Sequence, residues 1–417
     1  MNQASFQRQT ILSAFAIALA AFCLLFGYEC IRSASKSILI EAFGRQNTLM
    51  TMSVAMAGVP FTVLLLIYMY GRLLSKFGPN ISLLTSTVFS AILILLCYFF
   101  ILGGSKTACV ILFLFRKSYI VILIEQYWSF VNSVLKLDFA RRFNGFFLGI
   151  SAIGATAGTW AGEKLVTTLG TEGMLIFTVV SLIVAAVFSL IAYRVGGEPQ
   201  PSEKEIGGQQ GHAGIKLFLK SRYLLFLGLL IFVTQILSTA LELRFDVLIA
   251  EQFSDKDLRS EYLYGFWKYV NITAFLLNFV IAPLMFPLLR IRLIKLFIPI
   301  IHLGVSLISV LSPSLSTSAL SLLLFKSFDY SIFRASKEIL YMPLSYDARY
   351  RAKQFIDSFI YRNGEGLTAG INALIGTFFV VPLVMYPATA IVMSFLWIGI
   401  VLSLTKQYQN LVSSSSE

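Results

Sequence analysis

Phe325-Lys326-Ser327-Phe328-Asp329-Tyr330-Ser331-Ile332-Phe333-Arg334-Ala335-Ser336-Lys337-Glu338-Ile339-Leu340-Tyr341-Met342-Pro343-Leu344 has the flanks of a membrane-spanning helix, but its middle is charged. A charge at the centre of a bilayer costs about 3 kcal/mol on insertion scales, so Asp329, Arg334, Lys337 and Glu338, left unpaired, would cost roughly 10 kcal/mol. A helix this modest in hydrophobicity does not offset that. These side chains must face protein, water or a solute rather than lipid, which is the pattern of a transport pathway.

The rest of the chain fits a membrane setting. Of its 417 residues 57% are hydrophobic and only 13% charged, and the mean hydropathy is +0.79; soluble proteins carry about 25% charged residues. Apolar runs recur from end to end, so the fold class expected is an all-α polytopic membrane protein. The run Ile11 to Phe26 leads into Glu29, Arg32 and Lys36 without a small-residue cleavage site, and it reads as the first span rather than a signal peptide. The net charge of +12 points to basic cytoplasmic loops, not to nucleic acid. Cys23, Cys30, Cys97 and Cys109 lie in apolar segments with no metal-ligand spacing, and His212 and His302 make neither a metal nor a catalytic set. No cofactor is expected. No nucleophile–base pair points to an enzyme, and no Walker-type phosphate loop is present.

About twelve segments reach the ~20 residues that a crossing needs. They fall near 11–42, 48–69, 80–102, 107–135, 144–168, 174–194, 222–250, 261–287, 293–311, 315–344, 353–381 and 384–405. The polar stretch from Gly196 to Gly214 is rich in Gly, Glu, Gln and Pro and reads as a flexible linker. The expected organisation is a six-helix half over 1–195, a cytoplasmic linker over 196–220 and a second six-helix half over 221–417. Even-numbered loops are basic, with Arg72 and Lys76, Lys136, Arg141 and Arg142, Arg290 and Arg292, and Arg349 and Arg351. Odd loops are poorer in Lys and Arg, so the positive-inside rule puts both termini and the linker in the cytoplasm.

Intramembrane polar residues gather on particular helices. The first carries Glu29, Arg32 and Lys36, whose spacing of three and four places them on one face. The fourth carries Glu125, Gln126, Asn132 and Lys136; the seventh Gln235, Glu242, Arg244 and Asp246; the eighth Lys268, Asn271 and Asn278; the eleventh Asp357, Arg362, Asn363 and Glu365. Pairing within a helix, Glu29 with Arg32 or Arg334 with Glu338, would neutralise charge with no solute involved, and that reading stays open beside the transport one. Arg45, Lys106 and the charges of 255–261 read as solvated loop. Gly154, Gly158 and Gly162 form a small-residue face suited to close helix packing. Gly364, Gly366 and Gly370 serve either packing or a loosened helix near a ligand. Several Lys and Arg donors are what a dehydrated phosphate needs, so an anionic solute is expected, with Arg32, Lys36, Arg334 and Lys337 as its ligands.

Tyr70-Gly71-Arg72-Leu73-Leu74-Ser75-Lys76-Phe77-Gly78 is similar to the Gly-x-Leu-x-x-(basic)-x-Gly loop of the major facilitator superfamily, whose two six-helix halves the span count matches. In that fold the first, fourth, seventh and tenth helices line the cavity. Four blocks resemble the nucleotide transporter family, the ATP/ADP antiporters of plastids and obligate intracellular bacteria. They are Arg32 to Lys36; Glu125-Gln126-Tyr127-Trp128 with Phe139-Ala140-Arg141-Arg142-Phe143-Asn144; Leu241-Glu242-Leu243-Arg244-Phe245 with Tyr262-Leu263-Tyr264-Gly265; and Lys337-Glu338-Ile339-Leu340-Tyr341-Met342-Pro343-Leu344 with Lys353 and Ile356-Asp357. The last block is the most specific. Two departures stand out: Gln126 takes the place of the family's fourth-helix Glu, and Arg244-Phe245-Asp246 replaces the Trp-Lys after the seventh-helix Glu.

The resemblance implies a secondary active transporter that exchanges or takes up nucleotides by alternating access. The substrate-binding set is then Arg32, Lys36, Asn132, Glu242, Arg244, Asn271, Arg334, Lys337, Glu338 and Arg362. Glu242 and Glu338 are expected to pair with the cations when the site is empty, or to couple protons. The partners expected are a nucleotide or other anionic small molecule and the lipid bilayer, with the chain a monomer. The alternatives are a proton-coupled transporter of another phosphorylated or anionic metabolite, and a membrane protein that binds a solute without moving it.

Overall fold

The structure, a computed structural model, describes residues 3–134, 137–197, 218–219, 221–344, 353 and 355–414, with side chains described for all of these but 3–8, 132–144, 355, 358 and 414. The expected linker, with His212, lies almost wholly outside them, as do the side chains of Asn132, Lys136, Arg141 and Arg142.

Every described segment of length is helical. We number the spans α1 (Gln3–Phe43), α4 (Lys106–Val134), α7 (Arg222–Gln252), α9 (Ile291–Leu311) and α12 (Met385–Ser414) where each is one helix. Thr48–Leu102 breaks at Gly78 (φ 76°, ψ 175°) into α2 (48–77) and α3 (79–102), and Leu137–Gly196 breaks at Gly170 (φ 75°, ψ 159°) into α5 (137–169) and α6 (171–196). Both reversals need the left-handed backbone that glycine tolerates, and Pro79 then sets φ for the first turn of α3.

The other three spans contain π-helical turns. α8 runs Lys256–Leu276, a π turn Leu277–Ile281, then Ala282–Leu288. α10 runs Leu315–Phe328, a π turn Asp329–Phe333, then Arg334–Tyr341. α11 opens on a π turn Phe355–Ile360 and continues Tyr361–Phe378. By length and composition, 8 helical stretches among the described residues are apolar enough to cross a membrane. Two of these, of 58 and 52 residues, are long enough for two crossings each at about 20 residues per crossing. The charged α10 and α11 complete the twelve. Phe61, Phe99, Phe100, Leu284, Leu311, Phe378 and Val380 are exposed, as side chains that meet lipid are.

The chain forms two compact units. Unit 1 is Met1–Arg45, Gly58–Ser202 and Phe253–Asn271; unit 2 is Gln46–Ala57, Glu203–Gln252 and Ile272–Glu417. The units follow the sequence halves except that the first part of α8 packs in unit 1 and the start of α2 in unit 2.

In unit 1, α1 packs on α5 and α6. A Cβ at Gly154 or Gly158 would run into the backbone of Phe22 or Phe26. α6 adds hydroxyl bonds to the carbonyls of α1, from Thr178 to Gly27 (2.9 Å) and from Ser181 to Cys23 (2.6 Å), and Ser13 of α1 donates to Ala192 (3.0 Å). Small residues and such bonds are what hold helices together where lipid removes the hydrophobic drive.

The 255–261 stretch is not the solvated loop expected from sequence. Asp255 accepts from the N–H groups of Asp257 and Leu258 (both 2.8 Å) and starts α8. Arg259 is then fully buried, donating to Ser37 O (3.1 Å) and pairing with Glu41 (2.8 Å). Thr171 donates to Asp257 (2.6 Å), and Lys256 pairs with Glu172. The charges are neutralised by partners far away in sequence, which local spacing does not reveal.

In unit 2, α7 packs on α10, α11 and α12. Asn278, in the π turn of α8, donates to Tyr330 O in the π turn of α10 (3.2 Å). Gly364 faces Gln235 of α7, where an added Cβ would meet the Gln235 Cβ at 2.8 Å. This places the α11 glycine in helix packing. His302 is buried and stacked on Trp397 (5.8 Å between centroids, 27°), the packed helix position expected of it.

Candidate functional site

Each unit holds one polar cluster built on its first and fourth helices. In unit 1, α1 buries Glu29, Arg32 and Lys36 on one face. Arg32 Nη1 donates to Glu29 Oε1 at 3.0 Å. Its guanidinium lies 3.2 Å from the centre of the Trp267 ring on α8 and 5.7 Å from that of Tyr28. A desolvated cation–π contact of this kind is worth about 2 kcal/mol, and with the ion pair it holds Arg32 in a fixed orientation. Asn271, one turn beyond Trp267, neighbours Glu29 with its Nδ2 unpaired. Lys268 pairs with Glu163 at 2.5 Å, and Tyr264 donates to Cys30 O while its ring fills the space left by Gly162. Arg116 of α4 is buried within electrostatic reach of Glu29. Sequence reading passed over it, although a basic pair inside an apolar run (Phe115-Arg116-Lys117-Ser118) was the signal.

In unit 2, Glu242 of α7 faces Lys326 of α10 (Nζ to Oε2, 3.3 Å), and Lys326 also donates to Ser238 Oγ (3.0 Å). Lys326 was likewise not singled out, although it lies in the deciding stretch. Lys337 pairs with Asp357 of α11 at 2.9 Å, and the Tyr341 hydroxyl donates to the same oxygen at 3.3 Å. The three residues belong to the block that carries the strongest sequence resemblance. Arg362 lies 3.8 Å from Glu365, one turn along its own helix.

The pairing differs from expectation at two points. Glu338 pairs with Lys353 (2.5 Å) rather than with Arg334. Arg244 turns to α9, donating to Ser309 Oγ (2.5 Å) and Ser309 O (3.0 Å), and so ties two helices together outside the cluster. Partners on neighbouring helices compete with those three or four positions away, and in α10 the π turn also shifts the helix face. Arg334 is exposed, and among the described residues it makes no ion pair. A bare guanidinium within a spanning helix faces water or solute, since lipid is excluded by energy.

The glutamates and aspartates of both clusters are met by lysines, arginines and hydroxyls. Among the described residues no group of His, Cys, Asp and Glu is arranged to hold a metal ion. The chemistry available is anion recognition with internal counter-ions.

The TLC ATP/ADP transporter family model matches residues 107–408. The chain is 22% identical to ADP,ATP carrier protein 3 of Rickettsia bellii (strain RML369-C) over 95% of this chain and 94% of that protein. Among solved structures it is similar to the POT family transporter PepTSo (TM-score 0.65, 13% identity, 96% of this chain and 99% of that one). It is also similar to an aspartate-to-alanine variant of the nucleoside transporter NupG (TM-score 0.63, 11% identity, 96% and 99%). At these identities the structural likeness establishes the major facilitator fold alone. The family match spans most of the chain, including α4, α7, α10 and α11 with their charges, and the chain therefore belongs to the TLC ATP/ADP transporter family.

Proposed function

We propose that this protein exchanges ATP for ADP across a bacterial inner membrane by alternating access, with both termini in the cytoplasm. Arg32 and Lys36 of unit 1 and Arg334 and Lys337 of unit 2 serve as phosphate ligands. The observation that carries this reading is a set of buried or bare cations at mid-helix positions in a member of a nucleotide transporter family. Lys337 is held by Asp357 and Lys326 by Glu242. These carboxylates act as stand-in anions that an incoming phosphate displaces. Such an exchange keeps the cations paired in the empty and loaded states, which lowers the cost of reorienting in lipid. As an exchanger the protein hydrolyses nothing.

Uptake of labelled ATP by cells expressing the protein tests this. Saturable uptake, competed by external ADP and lost in Lys337→Ala with the protein still in the membrane, is the expected result. Uptake that follows a pH gradient and ignores a counter-nucleotide would favour proton coupling instead.

A further inference from the structure

Arg116 is 2% exposed, and among the described residues neither its Nε nor its Nη2 has a hydrogen-bond partner. These two nitrogens share one edge of the guanidinium, the edge that makes two parallel bonds to a carboxylate or a phosphate. Its guanidinium stacks over Phe113, one turn back, at 5.0 Å. Glu29 lies within electrostatic reach, but it gives Oε1 to Arg32 and leaves Oε2 unpaired rather than closing on Arg116. The groups around it are mostly unspent donors. The hydroxyl of Tyr119, one turn along α4 and within reach of Arg116 and Glu29, is buried and unpaired. So, among the described residues, is Asn271 Nδ2 beside Glu29. A buried guanidinium with an open bidentate edge is unfavourable for folding and favourable for binding an anion.

We propose that Arg116 is a ligand for the phosphate chain of the transported nucleotide, offering its Nε–Nη2 edge to one phosphate group, with Tyr119 as a second donor. This rests on the nucleotide reading for its substrate, whereas the anion site stands on the unit 1 geometry alone. Arg116 adds its open edge to the cations Arg32 and Lys36 of the same unit.

The test is thermal unfolding of the full-length protein in detergent, with ADP, adenosine and inorganic pyrophosphate as separate probes, for wild type, Arg116→Met, Arg116→Lys and Tyr119→Phe. Removing an unpaired buried charge relieves strain, so Arg116→Met should melt at or above the wild-type temperature without ligand. The same variant should bind ADP and pyrophosphate about 10- to 100-fold more weakly, the loss of one or two charge-assisted bonds, while adenosine binding is unchanged. Arg116→Lys should recover part of the loss, and Tyr119→Phe should show a smaller one. A lower melting temperature for Arg116→Met without ligand would make the residue a structural one and overturn the proposal, as would ADP and pyrophosphate affinities equal to wild type. If wild type binds pyrophosphate but neither ADP nor adenosine, and Arg116→Met abolishes it, the anion site stands and the nucleotide reading fails.

Discussion

At the scale of single residues, the pairs within each unit decide what a substitution does. Lys326 and Glu242 are both largely buried and 3.3 Å apart, so removing the lysine takes a close counter-charge from the glutamate. Lys326→Ala should destabilise unit 2 by about 3–5 kcal/mol. The double change Lys326→Met with Glu242→Leu should recover most of that, as read from a double-mutant cycle of melting temperatures. Arg32 gives a second case. Trp267→Leu removes the ring under its guanidinium, and about 2 kcal/mol of stability should go with it, measurable by the same melting assay. The residues hardest to read from sequence were those whose partners come from another helix. Glu29 and Arg32 pair as three-residue spacing suggests. Glu338 instead finds Lys353 across fifteen positions, and Arg259 sits buried on Glu41. Arg116 and Lys326 escaped notice because each stands beside Phe in a strongly apolar run, where one charge hardly changes the local pattern.

At the scale of elements, the twelve spans were legible, and the reversals at Gly78 and Gly170 fell between the expected segments. Both are glycines with positive φ where a tight turn needs them. The small-residue face of α5 also does what its spacing suggests. Gly158→Ala should cost about 1–3 kcal/mol by overpacking against α1, seen as a lower melting temperature, whereas Gly145→Ala, which has open space at that position, should be neutral. The π turns were not legible, since a wider turn has no residue signature of its own. They set which face of α10 carries Lys337 toward Asp357. Deleting one residue of the turn Asp329–Phe333 should restore ordinary helix while breaking the Lys337–Asp357 pair, and transport should be lost with the helix content by circular dichroism unchanged. Asn278→Ala should act more mildly, removing its bond to the Tyr330 carbonyl at a cost of about 1 kcal/mol.

At the scale of the whole molecule, charge in the membrane is the organising fact. Within each unit the first and fourth helices bring carboxylates and cations together in the interior, and the remaining surface is left to aliphatic and aromatic side chains. Spans, charge-bearing helices and family were readable because each depends on composition over many residues. The pairings inside the clusters depend on the three-dimensional neighbourhood of single atoms. The central claim is that these cations serve nucleotide exchange, and it is tested most directly by labelled ATP entry into proteoliposomes loaded with ADP or left empty. The account predicts rapid entry into the loaded vesicles, little into the empty ones, and loss in Lys337→Ala. Folded, reconstituted protein that admits no nucleotide into loaded vesicles above protein-free controls would contradict it.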